Sequence, residues 1–477
     1  MKRTLASVAG MVGLVVVDVL ATCGGGGGGG TGGMGRGGGL ADVVYQVPRK
    51  ALTGAEKFEA GGLVVLWFPA SENEWKNSSL RNSRALTLYA SQCVTMGVAD
   101  IGQSLGKRYA ADEKAPVAVL AQADGKIIGK AQGELDGKLR VGKVEKLLEA
   151  EIKLREAGVK ESMSAAKDAV KKGEKDAAIK LYTAVLDQQC LFPKYAKDAA
   201  KELKKLGVAG VASVADAPDY DRAVGARIER ALKDGLMAEE MADYAKAEAL
   251  YAKARSLDPA DPAPLRYLGE LYRHQTGEWD KARAVFQQIL DMRADPMSRA
   301  VALHGIGKMT IHDGDFLKGL HLMEQSADVF PLPLTYRNLA VYWHSEGDRA
   351  KADAYTRKAL ALDPDEPFNV VFAAAFAAGD GGTRAREALQ VAQAHEDLLC
   401  ASYNLAAIHA QLGDRNKALA LLKRHFYEYE RFDAVRSKEM MEARVDAVFA
   451  SIVKDPAFLS LTDQADGKLP MPSRITR

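Results

Sequence analysis

The sequence contains little cysteine and almost no excess of charge of either sign. It has four cysteines in 477 residues, and no two of them have the CxxC spacing of a redox or zinc motif. This count excludes a disulfide-rich scaffold. The 65 Lys and Arg residues are balanced by 63 Asp and Glu residues, which leaves a net charge of +2. A protein that coats nucleic acid needs a strong basic excess, so we expect no nucleic-acid partner.

Motifs for metal binding, phosphate binding and covalent catalysis are also missing. The eight histidines, between positions 274 and 425, include no HExxH or HxxxH pair. Residues 305–310 contain Gly and Lys but lack the GxxxxGK[ST] spacing of a phosphate loop. No Ser-His-Asp order stands out in the sequence as a catalytic triad. No two carboxylates stand out as a catalytic pair. The sequence therefore predicts a protein that is not an enzyme and that needs no metal, cofactor or small-molecule substrate.

The N-terminus has the pattern of an export signal. Met1-Lys2-Arg3 is basic, and residues 5–20 form an apolar run that is too short to span a bilayer comfortably. The following residues, Leu20-Ala21-Thr22-Cys23, resemble a bacterial lipobox, in which the cysteine becomes lipid-modified after cleavage. We therefore predict a signal peptide over 1–22 and a membrane anchor at Cys23, with the protein in the bacterial cell envelope facing the periplasm. The alternative is cleavage after Ala21, which would release a soluble exported protein.

A glycine-rich tract follows the lipobox. Thirteen of the sixteen residues from Gly24 to Gly39 are glycine, and such a segment has no apolar side chains to bury and a high entropic cost of ordering. As a random coil it would span roughly 20–24 Å. We predict that residues 23–49 form a flexible tether between a membrane surface and a folded body.

The next segment, 50–157, has the pattern of a small α/β domain. We predict strands and helices in the order strand 63–68, helix about 76–90, strand 94–98, helix 101–110, strand 117–120, strand 126–129 after an Asp124-Gly125 turn, and helix 139–157. This β-α-β-α-β-β-α order resembles the thioredoxin fold, and Ala115-Pro116-Val117 matches that family's cis-proline position.

The resemblance does not extend to redox chemistry. Active thioredoxin-like proteins carry a CxxC after the first core strand, whereas this chain has Pro69-Ala70-Ser71-Glu72-Asn73-Glu74-Trp75 there. We therefore predict a thioredoxin-like domain without CxxC that serves as a binding or structural platform. Ser71, Glu72 and Asn73 are candidates to cap the helix that follows, and this role is a sufficient explanation for their presence.

From about residue 158 the sequence repeats itself at the spacing of helix pairs. Residues 243–254 followed by Leu257-Asp258-Pro259 have the small-x3-aromatic-x2-small and Pro pattern that resembles the second helix of a tetratricopeptide repeat. Further units have Gly269, Gly307 or Ala340 in their first helices, where a small residue lets two helices approach closely. We expect a multidomain chain, with the α/β domain followed by an all-α solenoid. We divide this part of the chain into four segments: a first divergent helix pair at 158–207, a linker at 208–220, the tetratricopeptide-type solenoid at 221–435, and a capping helix and tail at 436–477.

The resemblance also implies a place for ligands. In tetratricopeptide arrays the first helices line a concave groove, and their outward polar side chains contact peptides. Eight residues of this chain fall on or near that surface in the transferred register: Arg266, Arg273, His304, Lys308, Arg337, Asn338, Tyr403 and Asn404. Their cationic members suit a carboxylate-bearing or acidic peptide. The alternative is that they are ordinary solvated polar residues on helices.

Taken with the signal and the tether, these patterns predict a scaffold or adaptor at the envelope that holds other proteins or peptides through the solenoid groove. Two other functions remain open at this point. The first is a structural subunit of a larger membrane-associated complex. The second is a redox accessory or enzyme, in which the thioredoxin-like domain still binds a thiol protein.

Overall fold

The structure is a computed structural model, and it describes residues 44–52, 62–362, 364–430 and 433–465. The predicted signal peptide, Cys23 and the glycine tract lie outside these residues. Within the described parts of the chain, no helix is long and apolar enough to cross a membrane.

The α/β domain is built on a five-stranded sheet. Its strands are β1 (Lys50–Ala51), β2 (Leu63–Phe68), β3 (Val94–Val98), β4 (Val117–Gln122) and β5 (Ile127–Gln132). The spatial order is β1-β3-β2-β4-β5, with β3 parallel to both β1 and β2, and β4 antiparallel to both β2 and β5. Val65 of the central strand lies opposite Met96 on one side and Leu120 on the other. The Ala115–Pro116 peptide bond is cis.

Helices cover both faces of this sheet. They are α1 (Glu72–Asn77), α2 (Arg84–Gln92), α3 (Ser104–Tyr109) and α4 (Val141–Lys172). Alternate residues of β2 point to opposite faces, so Val65 packs in one core with α2 and α4, and Leu66 packs in a second core with α3. A strand buried on both faces is apolar throughout, which explains the uninterrupted apolar run that predicted it.

Two helix predictions in this domain differ from the structure. The helix expected over 76–90 is divided into α1, a 3₁₀ turn (Ser79–Asn82) and α2, because Ser78 and Ser83 each accept a hydrogen bond from a backbone N–H two or three residues later and start a new element. The helix expected to end at 157 continues to Lys172, so α4 crosses the predicted domain boundary without a break. Ser71 caps α1 as expected and accepts a hydrogen bond from the Glu74 N–H at 3.1 Å.

The remaining described chain is helical. After α5 (Lys175–Leu186) and α6 (Pro193–Lys205), residues 206–221 contain neither helix nor strand. The first helices of the following pairs are α7 (Arg222–Glu240), α9 (Pro262–Glu270), α11 (Pro296–His312), α13 (Pro333–Ser345), α15 (Pro367–Ala378) and α17 (Ser402–Gln411). Their second helices are α8 (Tyr244–Leu257), α10 (Trp279–Asp291), α12 (Phe316–Val329), α14 (Arg349–Leu362), α16 (Gly382–Ala394) and α18 (Arg415–Arg424). The π-helical turns Leu271–Gln275 and His425–Tyr429 extend α9 and α18.

Small residues allow the helices of the pairs to approach closely, as the repeat pattern predicts. A Cβ added to Gly269 would lie 2.3 Å from the ring of Phe286, and one added to Gly305 would lie 2.3 Å from the other side of the same ring. Phe286 of α10 is therefore held between α9 and α11, and it links one repeat to the next. Gly235 makes the equivalent approach to Tyr251.

The two ends of the described chain do not follow the predicted divisions. Residues 44–47, expected in the tether, are buried, because Val44 and Tyr45 pack into the solenoid core and Val47 packs under the sheet. The C-terminal region forms α19 (Asp433–Val445), a 3₁₀ turn (Ala447–Phe449) and α20 (Pro456–Leu461). Helix α19 begins before the predicted start of the cap at 436 and contacts the first helices of the solenoid.

Candidate functional site

The candidate site is the surface formed by the first helices α9, α11, α13 and α17 together with the π-helical turn after α9, which we call the first-helix surface. The sequence predicts that this surface is an open groove. In the structure, segments of the same chain cover it at two places. Each place has a cluster of polar contacts, which we name after its central residue: the Arg84 junction, in the loop beside the start of α9, and the Glu442 junction, on α11 and α13.

The Arg84 junction joins the α/β domain to the solenoid. Arg84, at the start of α2, donates hydrogen bonds to Asp261 at 2.7 Å and to Asp258 at 2.5 Å, both in the loop between α8 and α9. It also donates to the Asp219 carbonyl at 2.6 Å, while the Tyr45 hydroxyl donates to Asp261 at 2.7 Å. The side chains of Arg84, Asp258 and Asp261 are 5%, 3% and 0% exposed, so the ion pairs are dry.

Arg266, one of the predicted groove residues, lies beside this junction and is buried. Its guanidinium donates one hydrogen bond to the Val44 carbonyl at 2.5 Å and another to the Ser298 hydroxyl at 3.0 Å. The N-terminal segment therefore occupies the position where a ligand of Arg266 was expected.

The Glu442 junction brings helix α19 against α11 and α13. One carboxylate oxygen of Glu442, Oε1, accepts from Lys308 Nζ at 2.6 Å and from the Tyr342 hydroxyl at 3.0 Å, and it lies 2.8 Å from His312 Nε2. Lys308 Nζ also donates to Asn338 Oδ1 at 3.1 Å. The Lys308 and Glu442 side chains are 18% and 20% exposed, so water reaches this junction more than the other one.

Two further carboxylates of the same segment contact the solenoid. Glu439 Oε2 lies 2.9 Å from His425 Nε2, and Asp446, just after the end of α19, accepts from the Tyr403 hydroxyl at 3.2 Å. Lys438 Nζ lies 4.2 Å from the centre of the Trp279 ring, a cation–π geometry. Helix α19 thus contacts side chains of several repeats at once.

The remaining predicted groove residues occupy three different environments. Arg273 is buried and paired with Glu270 at 2.7 Å, and Arg337 is buried and donates to Asn369 at 2.8 Å. His304 is 2% exposed, with its Nδ1 at 3.1 Å from the Thr335 hydroxyl. Asn404 is half-buried. The structure therefore brings Lys308 and Asn338 together at the Glu442 junction and places Tyr403 against Asp446, just after the end of α19. It leaves Arg266 and Arg337 in separate internal contacts.

The charges of the Glu442 junction are set by burial and by neighbouring groups. Burial by itself would raise the pKa of Glu442, but the Lys308 ammonium and His312 lower it by more, so this pKa lies well below its usual range. Burial, followed by the charges of Arg273 and Lys308, lowers the pKa of His304 well below its ordinary value. Burial raises the pKa of Asp446 to about 6. At neutral pH Glu442 is a carboxylate and His304 is neutral.

Several residues of the site were missed by the sequence interpretation. His312 and Tyr342 each lie one turn beyond a predicted groove residue, Lys308 and Asn338 respectively, and Glu442 lies in the segment interpreted as a terminal cap. A signal was present, because Glu439, Glu442 and Asp446 are three and four positions apart, which puts their side chains on one face of a helix. Arg84 carried no comparable signal, since its carboxylate partners are more than 170 residues away.

Metal binding finds no support in this arrangement. Across the residues that the structure describes, no three His, Cys, Asp or Glu side chains come together as a possible metal site.

Comparison with known proteins agrees with the repeat pattern. Residues 236–305 match the tetratricopeptide repeat family model. The chain is 32% identical over 87 residues to the photosystem I assembly protein Ycf3 of Rippkaea orientalis (strain PCC 8801 / RF-1), an alignment that covers 18% of this chain and 50% of that protein. It is 31% identical over 120 residues to the protein CTR9 homolog of Arabidopsis thaliana, covering 25% of this chain and 11% of that protein.

These matches cover only part of each protein. The chain spans half the length of the first of these relatives and about a tenth of the second. The family match covers α8, α9 and α10 and parts of α7 and α11, which are helices of the solenoid. Residues 236–305 are therefore similar to tetratricopeptide repeats, and this similarity supports a role in protein–protein interaction.

Proposed function

We propose that this protein is a non-catalytic adaptor that holds other proteins through its solenoid and is tethered to the bacterial cell envelope by a lipid on Cys23. The observation that carries the adaptor role is that the first-helix surface already binds polypeptide. It holds the N-terminal segment through a hydrogen bond from Arg266 to the Val44 carbonyl. It holds helix α19 through the ion pair between Lys308 and Glu442. A surface with this chemistry suits peptide or helix recognition.

The α/β domain has a structural role in this proposal. Its topology is compatible with a thioredoxin-like domain, and the segment after β2 supplies Ser71 as a helix cap and contains no cysteine. Arg84 joins the domain to the solenoid through buried ion pairs. The domain therefore fixes one end of the array and acts as a platform, without thiol chemistry.

The envelope tether is supported by the sequence alone. Met1-Lys2-Arg3, the apolar run over 5–20 and Cys23 have the order of a lipoprotein signal, and the glycine-rich tract that follows suits a flexible spacer. A lipid would raise the local concentration of the adaptor at one membrane, which strengthens weak contacts to membrane-bound partners.

The direct test is a crosslinked pull-down of the full-length protein from its native envelope, with a Cys23→Ser variant beside it. The proposal predicts a reproducible set of envelope proteins that shrinks when Cys23 is replaced. Recovery of the protein alone, without lipid, would contradict both the tether and the adaptor role. Turnover in a disulfide reductase assay would contradict the non-catalytic part.

A second candidate is a structural subunit of a larger membrane-associated complex. The burial of Arg266, Arg273 and Arg337 favours it, since a surface covered by its own chain has less room for a transient ligand. Gel filtration of a detergent extract separates the two functions. A discrete large assembly indicates a structural subunit, and a monomer that captures partners indicates an adaptor.

A further inference from the structure

Helix α19 has the features of a ligand seated on the first-helix surface. Its carboxylates Glu439 and Glu442 contact His425, Lys308, His312 and Tyr342. The same helix buries Met440 and Ala443 completely among the apolar residues of the last repeats. An amphipathic helix that places an apolar stripe and a row of carboxylates on a groove is a common form of peptide recognition.

The surface beneath α19 is rich in nitrogen donors. Lys308, His312, His425 and Arg273 surround the helix, and Arg273 alone among them has a carboxylate partner, Glu270, within the repeats. The neighbour that Lys308 has on its own surface is the neutral amide of Asn338. Removing α19 would therefore take the carboxylate away from the Lys308 ammonium and from the imidazoles of His312 and His425, and this favours a replacement that carries carboxylates.

The central ion pair of α19, between Lys308 and Glu442, is also of a kind that can exchange. Three donors meet a single oxygen of Glu442, and the side chains of the Lys308–Glu442 pair are both about one-fifth exposed. A partly hydrated ion pair is screened by water and salt, and it costs less to open than a dry one. The buried Phe426 precedes the helix and the buried Phe449 follows it, so α19 lies between two fixed points of the chain.

We propose that α19 is an internal ligand of the first-helix surface, and that the partner recognised there is an acidic amphipathic helix that displaces it. The partner helix carries carboxylates three and four positions apart, as Glu439, Glu442 and Asp446 do, together with small or flexible apolar residues on the adjacent stripe. This inference rests on the proposed adaptor function and names the chemical class of its partner.

The connection of α19 to the array at both ends gives the displacement a defined cost. A tethered ligand competes at a high effective concentration, so an external helix binds the wild-type chain weakly and binds a chain with α19 released more tightly. A partner on the same membrane would offset the cost of displacing α19, because its own local concentration is raised there.

The test uses the full-length chain and a fluorescent synthetic peptide of residues 433–449 as the probe. In the chain, Glu439→Lys with Glu442→Lys places cations against His425 and Lys308 and releases α19. Glu428→Lys is the matched control, since Glu428 is exposed on the π-helical turn before α19. The inference predicts that the probe binds the double variant at least tenfold more tightly than it binds wild type or the control. Adding Lys308→Glu to the double variant should abolish that gain.

Amide exchange over 433–445 shows whether α19 has been released. If exchange rises in the double variant but the probe gains no affinity, α19 is a structural element and the inference is overturned. If exchange does not rise, the carboxylates do not hold the helix and the inference is equally overturned. Should the double variant fail to fold, excess probe added to the wild-type chain replaces it. That probe should raise exchange over 433–445, and a probe with Glu442→Gln should do so less.

The same experiment separates this inference from the adaptor function. If the probe fails while the envelope pull-down still recovers partners, the adaptor role stands and the partner binds elsewhere. If the probe exchanges with α19 while the pull-down recovers nothing, the surface binds acidic helices without the proposed envelope role.

Discussion

The Arg84 junction lies beside the first-helix surface and the Glu442 junction lies on it, and the two junctions differ in hydration. At the first, one guanidinium meets two carboxylates and a carbonyl with almost no exposure to water. At the second, one carboxylate oxygen meets an ammonium, an imidazole and a phenol, and the ion pair is about one-fifth exposed. The same types of groups therefore form a permanent connection in one place and an exchangeable one in the other.

The difference shows how burial, more than charge, determines whether a polar contact is fixed. Breaking a dry ion pair leaves an uncompensated charge in a medium of low polarity, whereas water compensates a charge that is partly exposed. The N-terminal domain is thereby joined firmly to the solenoid. The central ion pair of the C-terminal helix is partly hydrated, and a competing carboxylate can replace Glu442 there.

The largest expected effect comes from breaking the Arg84 junction. Arg84→Ala leaves Asp258 and Asp261 buried without their cation, and we expect a loss of about 3–5 kcal/mol in the free energy of unfolding. Urea denaturation measures it. Arg140→Ala is the matched control, because Arg140 pairs with exposed carboxylates and its loss should cost about 0–1 kcal/mol. Equal effects of the two substitutions would remove the distinction between dry and hydrated ion pairs.

A smaller effect is expected at the Glu442 junction. Glu442→Gln keeps the shape of the side chain but removes the charge that Lys308 and His312 contact, and we expect a loss of about 1–3 kcal/mol. The loss should be local, with faster amide exchange over 433–445 and unchanged exchange in β2 and β4. Glu428→Gln serves as the control and should change neither. A global loss of protection would show that α19 is as firmly integrated as α2.

Replacing Asp446 should change the stability in the opposite direction from replacing Arg84 or Glu442, and the change should depend on pH. Its folded pKa of about 6 lies above the ordinary value of 3.8, so its contribution to stability is largest at low pH and is lost as the pH rises through 6. Asp446→Asn should therefore stabilise the protein by about 1–2 kcal/mol at pH 8 and have little effect below pH 4. Thermal unfolding at the two pH values checks this, and destabilisation at pH 8 would contradict it.

The smallest expected effect lies outside both junctions. Gly158 is in the interior of α4, and a Cβ added there meets no atom within 4 Å. Gly158→Ala should stabilise the protein by about 0.5–1 kcal/mol through helix propensity alone, measured by urea denaturation, with unchanged exchange over 433–445. A change in α19 protection would mean that α4 and the Glu442 junction are coupled, and that the two ends of the chain are not independent.

Much of the fold was predictable from local patterns. The apolar runs predict β2 and β3 with their observed bounds, and the spacing of Ala247, Tyr251 and Ala254 predicts the buried stripe of α8. Such features depend on periodicity within a few residues. The divided helix around Ser78 and Ser83 was less accessible, because a side chain that hydrogen-bonds to the backbone competes with a continuous helix.

The sequence predicted residues of the solenoid that line the site, but it did not predict the segments of the chain that cover them. The repeat register places Lys308 and Asn338 on the ligand-facing surface, and both lie at the Glu442 junction. What covers that surface depends on contacts over long separations, such as the 222 residues between Val44 and Arg266. The spacing of Glu439, Glu442 and Asp446 marks an acidic helix face, but no local pattern shows which surface that face contacts. The predicted roles of all eight groove residues in partner binding stay predictions: Arg266, Arg273, His304, Lys308, Arg337, Asn338, Tyr403 and Asn404.

The Lys308–Glu442 pair is the contact that holds α19 on the first-helix surface. Amide exchange over 433–445 in a charge-swap cycle tests it directly, with Lys308→Glu, Glu442→Lys and the two combined. We predict that each single variant raises exchange through like-charge repulsion, and that the combined variant restores protection because the pair forms again with reversed sign. Wild-type protection in both single variants would contradict the claim, since α19 would then be held by its apolar contacts alone.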